Sequence, residues 1–167
     1  MAMYLETKRL KALLGRKRDG ERLTVIPYLE GRVICYSAGS LTRGWLVADF
    51  PVSDLDAEKL RKVVSIADDF VIFEFNHDRQ QVIANGIVVG SIKETLSPQE
   101  GIFREVKWLA YLPISGLLEL ARYASIMAGE IGEDKVLIGV RKGQLVVAPF
   151  CQQGLFAAEV DGYEVGE

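Results

Sequence analysis

The sequence has few of the residue types that build most catalytic and metal sites. Among 167 residues there is one histidine, His77, and there are two cysteines, Cys35 and Cys151, far apart in the chain. No serine lies in a Gly-x-Ser-x-Gly context. The glycine-containing segment at 15–22, GRKRDGER, lacks the Gly-Lys-Ser/Thr ending of a phosphate-binding loop. The sequence therefore predicts no catalytic residue, no cofactor and no metal ion, and a protein that is not an enzyme.

These three residues have simpler structural explanations. His77 lies between Asn76 and Asp78, and this combination is typical of a turn between two strands. The alternative interpretation is that His77 forms, with Asp78, half of a catalytic dyad or part of a metal site. Cys35 and Cys151 lie in the apolar runs VICYSA and VAPFCQQG, which favours small buried side chains in a reduced protein. A disulfide between the two cysteines is the other interpretation.

Long apolar runs and a strong excess of charge are also missing. Apolar residues make up 49% of the chain and charged residues 26%, and the formal net charge is −3, as in ordinary globular proteins. The N-terminal segment MAMYLETKRLK has no apolar core of the length that a signal peptide needs, and no run approaches a membrane span. These features predict a soluble, cytoplasmic protein that does not bind a membrane.

Segments with a helical pattern and segments with a β-strand pattern alternate along the chain. Apolar residues at i, i+3 and i+4 predict helices over 4–18, 54–67 and 115–128. Asp54 or Asp56 is expected to cap the second helix. Three β-rich runs follow each helix: 23–30, 32–39 and 43–50; 70–75, 80–84 and 87–92; 135–140, 144–150 and 155–160. Because short turns join these runs, we expect antiparallel pairing and an α+β fold.

Two segments open in nearly the same way. Residues 50–64 read FPVSDLDAEKLRKVV, residues 112–125 read LPISGLLELARYAS, and a Trp-Leu pair precedes each. With the order of the elements, they predict a βαβββ unit used three times, with its helices on one face of an antiparallel sheet. The polar segment 93–106 is the best candidate for a linker. We therefore expect a domain of two such halves over residues 1–106 and a third half-unit over 107–167.

The repeated unit resembles that of DNA polymerase sliding clamps, and most of all the bacterial clamp, the β subunit of the replicative polymerase. The matching features of the third copy are the helix ending in ASI, the strand KVLIGV, the strand GQLVVA and the final GYEVGE. In the second copy, the helix is followed by FVIFEF, QQVIANG and IVVGSIKE. In this family the helices line a ring around DNA and the strands form the outer sheet. The bacterial subunit carries six such units, whereas this chain carries three.

Positive charge concentrates on the first two predicted helices, whereas the polar stripe of the third, Glu119, Arg122 and Ser125, is nearly neutral. Such cations can contact phosphates without reading bases. The candidate nucleic-acid-binding residues are therefore Lys8, Arg9, Lys11, Arg16, Lys17, Arg18, Lys59, Arg61, Lys62 and Arg122. The alternative is that these side chains only form the solvent face of amphipathic helices.

The resemblance implies a non-catalytic, sliding-clamp-like protein of DNA replication or repair. The partners that it implies are duplex DNA bound without sequence preference, polymerase or other clamp-binding proteins, and further copies of the chain in a homo-oligomer. One alternative is a clamp-fold interaction or regulatory module, derived from a phage or mobile element, that does not bind DNA. An enzyme with an unrecognised site is the third class.

Overall fold

The computed structural model divides the chain into two compact units, residues 1–104 and 105–167. It describes residues 2–28, 31–95, 110–111, 113–130, 132, 134–141, 144–149, 158–161 and 163–164. The division lies two residues before the predicted boundary between residues 106 and 107, and both positions fall outside the described residues. That these units are separate domains stays a prediction.

The described part of unit 1 is an antiparallel sheet with two helices. Its strands are β1 (Ala2–Glu6), β2 (Arg22–Tyr28), β3 (Gly31–Ala38), β4 (Leu41–Val47), β5 (Ser53–Leu55), β6 (Phe70–Asn76), β7 (Gln81–Ala84) and β8 (Ile87–Ile92). Its helices are α1 (Thr7–Leu14) and α2 (Ala57–Ile66). The strand order across the sheet is β1-β6-β7-β8-β5-β2-β3-β4. This order joins the strands that follow α1 and those that follow α2 in one sheet, through β5.

The first helix is shorter than the sequence predicts. Residues 2–6 form strand β1, which pairs antiparallel with β6 from Ala2 opposite Glu74 to Glu6 opposite Phe70. The helix then ends before Gly15, whose φ of 54° is in the left-handed region that favours glycine. The prediction of a helix over 4–18 is therefore wrong at both ends. At its start, backbone pairing with a strand nearly seventy residues away outweighs the local helical pattern.

Both helices pack on the same face of the sheet and run antiparallel. The amide of Thr7, at the start of α1, donates to the carbonyl of Asp69 just after α2, at 2.9 Å. Lys17, just after α1, pairs with Glu58 in the first turn of α2 at 3.9 Å. The shared core contains Leu10, Leu13 and Leu14 of α1, Leu60, Val63 and Val64 of α2, and strand residues such as Val25, Tyr36, Phe73 and Val82. The helix surfaces opposite these buried stripes therefore point away from the sheet.

Helix α2 agrees with the sequence prediction. The Asp56 carboxylate accepts a hydrogen bond from the Lys59 amide at 3.0 Å, so Asp56 is the N-cap. A cap of this kind stabilises a helix by about 1 kcal/mol. Glu58 follows in the first turn, where the helix dipole favours a negative charge.

The described part of unit 2 contains one helix and two small antiparallel sheets. Its elements are β9 (Ala110–Tyr111), α3 (Ile114–Glu130), β10 (Val136–Arg141), β11 (Gln144–Pro149), β12 (Ala158–Asp161) and β13 (Tyr163–Glu164). Strands β10, β11 and β12 form one sheet, and β13 pairs with β9. Helix α3 packs against β11 and β12.

The fold is α+β with antiparallel sheets, as the sequence predicts. Helices α1, α2 and α3 each precede three strands in chain order. This is the order of the proposed βαβββ unit. That the three segments are copies of one another stays a prediction.

Gly90 permits a close approach between β8 and β5. A Cβ atom at this position would collide with the Asp54 carbonyl oxygen and would lie 2.7 Å from Cδ2 of Leu55. Because the Asp54 carbonyl oxygen belongs to the backbone of a paired strand, it cannot move away without disturbing the strand pairing. We expect Gly90→Ala to lower the free energy of unfolding by about 3 kcal/mol.

Chemical denaturation measures this effect, and Gly31→Ala is the matched control. A Cβ at Gly31 would meet only the Tyr28 carbonyl oxygen at 3.9 Å, which is an ordinary contact. The control should change stability by less than about 1 kcal/mol. Equal effects of the two substitutions would contradict the strand packing described for β5 and β8.

Candidate nucleic-acid interface

Five of the candidate cations lie on α1 and α2 and are exposed. Lys8 and Lys62 lie opposite the buried stripes of their helices, and their side chains are 84% and 75% exposed. Lys11 and Lys59 are also exposed and lie on the flanks of the two helices. The Arg9 guanidinium lies over the ring of Trp45, 5.5 Å from its centroid. These side chains give the helix pair a positively charged outer surface.

Three further cations follow α1 directly. Arg16, Lys17 and Arg18 lie in the connection to β2 and are exposed. They extend the cationic surface beyond the C-terminal end of the helix.

Carboxylates neutralise part of this surface. Glu6 pairs with Lys8 at 3.5 Å and with Arg9 at 3.6 Å, and Glu58 lies 3.9 Å from both Lys17 and Lys62. Exposed pairs of this length contribute at most about 1 kcal/mol each. A phosphate group can therefore compete for these four cations. Ion pairs to Lys11, Arg16, Arg18 and Lys59 are absent from the described residues.

Arg61 differs from the other candidates because its side chain is only 19% exposed. The sequence places it on the solvent face of α2, and this prediction of its position is wrong. Its Nε and Nη2 donate to the two Glu21 carboxylate oxygens at 3.2 and 2.7 Å. The same guanidinium donates to the carbonyls of Gly15 at 2.7 Å, Leu14 at 2.9 Å and Arg16 at 3.2 Å. These contacts occupy the side chain and turn it towards the end of α1.

A second arginine, Arg43 of β4, caps the same helix end. Its Nη1 donates to the Leu13 carbonyl at 3.0 Å. The guanidinium carbons of Arg43 and Arg61 lie 5.6 and 5.9 Å from the ring centroid of Tyr36. The Tyr36 hydroxyl donates to Glu21 Oε2 at 2.8 Å. We call these four residues, Glu21, Tyr36, Arg43 and Arg61, the Arg61 anchor.

The Arg61 anchor satisfies groups that a helix end leaves without partners. The last four carbonyls of an α-helix have no hydrogen-bond donor within the helix, and they carry partial negative charge. Arg43 and Arg61 supply donors and positive charge to them. This role of Arg43 cannot be predicted from the sequence, because nothing in the strand segment LTRGWLV signals contact with a helix terminus.

The anchor strongly perturbs the acidity of its carboxylate. Hydrogen bonding from Arg61 lowers the pKa of Glu21 from 4.5 to about 2, and the bond from Tyr36 acts in the same direction, while burial opposes both. Burial and the nearby Glu21 carboxylate raise the pKa of Tyr36. Glu21 is therefore ionised in the folded protein at neutral pH.

The other residues singled out in the sequence do not belong to the α1–α2 helix pair. Arg122 is exposed on α3 of unit 2. His77 is exposed in the turn between β6 and β7, as predicted. Cys35 is a free, buried thiol packed with Ile26 and Val33, whereas Cys151 lies outside the described residues. Burial raises the pKa of the Cys35 thiol.

The described residues contain no group of three or more His, Cys, Asp or Glu side chains that could hold a metal ion. Among the same residues, we find no helix with the length and apolarity that crossing a membrane would require.

Comparison with solved structures identifies the fold as that of a DNA clamp. More particularly, it is the fold of the bacterial β sliding clamp. A structure described as Caulobacter crescentus pol III beta matches with a TM-score of 0.55 and 12% identity, covering 99% of this chain and 52% of that chain. A DNA polymerase sliding clamp from the same organism matches with a TM-score of 0.56 and 12% identity, covering 99% of this chain and 51% of that chain.

A C. crescentus beta sliding clamp with bound polyethylene glycol gives a TM-score of 0.56 and 13% identity, with 99% of this chain and 52% of that chain covered. The chain thus spans about half the length of these clamps. At such low identity the likeness establishes the fold alone. No protein-family model and no curated protein sequence matches the chain.

We expect Arg61→Ala to destabilise the protein by about 3 kcal/mol, because it removes the charged partner of the buried Glu21 carboxylate and the donor to three carbonyls. Lys62→Ala is the matched control, since it removes a neighbouring exposed cation of the same helix and should cost less than about 0.5 kcal/mol. Urea denaturation measures both. A small effect of Arg61→Ala would mean that the anchor does not hold the two helices together.

The low pKa of Glu21 also predicts how the stability of the fold depends on pH. Because its pKa is lower in the folded protein than the 4.5 of the unfolded chain, ionised Glu21 stabilises the fold above about pH 4.5. This contribution disappears as the pH falls towards 2. We expect Glu21→Gln to be less stable than the unchanged chain at neutral pH, with the difference shrinking on acidification. A difference that stays constant from pH 6 to about pH 2.5 would contradict this assignment.

Proposed function

We propose that this chain is a non-catalytic, sliding-clamp-like protein of DNA replication or repair that acts in the cytoplasm. It binds the backbone of duplex DNA through exposed cations on α1, α2 and the α1–β2 connection. The observation that carries the proposal is the antiparallel helix pair, whose outer surface presents Lys8 and Lys62 away from the sheet. The clamp fold supports it.

The chemistry of these side chains suits contact with phosphates. Lysine ammonium groups on flexible stems act as point charges that do not require a fixed base sequence. Weak ion pairs with Glu6 and Glu58 can be exchanged for phosphate at little cost. Arg61 has a different role in the proposal, since it positions α2 against α1 and does not itself contact DNA. Arg122 is retained as a candidate contact from unit 2.

The proposal includes protein partners. By analogy with the matched structures, whose descriptions include a DNA polymerase sliding clamp, the partners are a polymerase or other clamp-binding proteins. Further copies of this chain complete the proposed assembly. No catalytic group is required, because holding DNA needs only contacts with its backbone.

A second candidate is a clamp-fold interaction module that does not bind DNA. The sheet face opposite the helices favours it, because Tyr4, Phe70 and Ile72 are 63%, 51% and 38% exposed there. Tyr4 and Ile72 are directly opposite one another on β1 and β6. Exposed apolar clusters of this kind are typical of protein contacts.

Titration of labelled duplex DNA by fluorescence anisotropy tests the first candidate. We expect binding to duplexes of unrelated sequence with similar affinity, falling steeply as salt increases. The double variant Lys8→Glu/Lys62→Glu should weaken binding by about tenfold or more and lower the slope of log K against log salt by about 2.

The double variant Arg79→Glu/Lys93→Glu is the matched control. It changes the net charge by the same amount, but Arg79 lies in the β6–β7 turn and Lys93 just after β8, outside the helix pair. This control should retain most of the affinity. Equal losses in both double variants would show that total charge alone governs binding. Absence of binding at low salt would contradict the DNA proposal and favour the interaction module.

A further inference from the structure

Glu58 lies between two lysines of the cationic surface. Its Oε2 is 3.9 Å from Nζ of Lys17, and its Oε1 is 3.9 Å from Nζ of Lys62. Lys17 belongs to the connection after α1, whereas Lys62 is one turn further along α2. All three side chains are more than half exposed. One carboxylate therefore pairs with two cations at a place that a phosphate group can also reach.

Glu6 repeats this arrangement at the other end of the helix pair. Its Oε2 is 3.5 Å from Nζ of Lys8 and 3.6 Å from Nε of Arg9. Because α1 and α2 are antiparallel, their N-terminal ends lie at opposite ends of the pair. Helix α1 has eight residues, which correspond to a length of about 12 Å. The two carboxylates therefore pair with separate cations, about one helix length apart.

Both carboxylates also contribute to the stability of their helices. Glu6 is the N-cap residue of α1, and Glu58 is in the first turn of α2. A negative charge is favourable at these positions because the N-terminal end of a helix carries partial positive charge. Lys8 and Arg9, in the first turn of α1, are unfavourable there, and Glu6 offsets their charge.

A carboxylate and a phosphate compete for the same lysine. Both present negatively charged oxygens that accept hydrogen bonds from an ammonium group. Glu58 belongs to the same chain as its lysines, so its effective concentration beside them is of the order of millimolar or higher. A phosphate can pair fully with Lys17 or Lys62 only after the contact with Glu58 is given up. The contact with the carboxylate therefore opposes DNA binding.

We propose that Glu6 and Glu58 are internal competitors of the DNA backbone. They pair with the cations beside them when DNA is absent, and they limit the affinity when DNA is present. This inference rests on the proposed function and specifies how the same surface is regulated. A surface that holds phosphates weakly can exchange one set of phosphates for the next along a duplex.

The substitution Glu58→Gln tests the proposal, because it removes the charge and keeps the size of the side chain. In anisotropy titrations with duplex DNA at low salt, we expect this variant to bind about three- to tenfold more tightly than the unchanged chain. The slope of log K against log salt should become steeper by up to about 1.

Glu74→Gln is the matched control. It makes the same chemical change and the same change in net charge, but Glu74 is exposed on β6, on the sheet face opposite the helices. This control should change the affinity by less than about twofold, because the charge that it removes is not paired with the cationic surface.

Glu6→Gln should act in the same direction as Glu58→Gln. Since the two carboxylates are about one helix length apart and pair with different cations, their effects should be independent. The gain in affinity of the double variant should therefore equal the product of the two single gains.

A change of background separates competition from simple repulsion between Glu58 and DNA. In a chain that carries Lys17→Gln and Lys62→Gln, Glu58 has lost the two cations that it holds. Glu58→Gln should then change the affinity by less than about twofold. The same gain in both backgrounds would mean that Glu58 only repels DNA, and this result would overturn the proposal.

Urea denaturation checks that the variants fold. Glu58→Gln should unfold at a slightly lower urea concentration than the unchanged chain, because α2 loses a favourable charge at its N-terminal end. Tighter DNA binding by a less stable protein would exclude better folding as the cause of the gain.

Two outcomes distinguish this inference from the proposed function. Equal affinities of Glu58→Gln and Glu74→Gln, with DNA bound by both variants, would overturn the inference and leave the proposed DNA binding intact. If neither the unchanged chain nor any of the variants bound DNA at low salt, the proposed function itself would be contradicted, and the inference with it.

Discussion

The contact on which unit 1 depends most is the bond of Arg61 to Glu21 and to the end of α1. One guanidinium joins α2, the last carbonyls of α1 and the residue that precedes β2. Arg43 reaches the same helix end from β4, and the Tyr36 ring lies under both arginines. The two helices are thereby held side by side on one face of the sheet. Their outer surfaces, and the cations on them, keep a defined spacing as a consequence.

This arrangement separates two classes of cation that the sequence does not distinguish. The Arg61 guanidinium is engaged in internal hydrogen bonds, whereas Lys8 and Lys62 are exposed and only weakly paired. An arginine suits the first role because its planar group can donate to a carboxylate and several carbonyls at once. Lysines suit the second role because their charge remains mobile and hydrated. The proposed DNA surface therefore consists of cations whose side chains the fold leaves exposed and free of strong internal contacts.

Sequence reasoning succeeded where local signals dominate. The periodicity and the Asp56 cap of α2, the turn at His77 and the antiparallel α+β class all follow from short-range patterns. It failed where contacts between residues far apart in the sequence determine the structure. Residues 2–6 become a strand because β6 pairs with them, and Arg61 turns inward because Glu21, forty residues earlier, lies at the end of α1. A single sequence carries no local mark of either contact, and the same holds for Arg43.

The central claim is that DNA contacts the outer surface of the α1–α2 pair. Lysine acetylation followed by mass spectrometry, with and without duplex DNA at low salt, tests it on the unchanged chain. We expect DNA to protect Lys8, Lys11, Lys17, Lys59 and Lys62 from acetylation and to leave Lys93 reactive. Equal reactivity of the helix lysines with and without DNA, while DNA is bound, would contradict it.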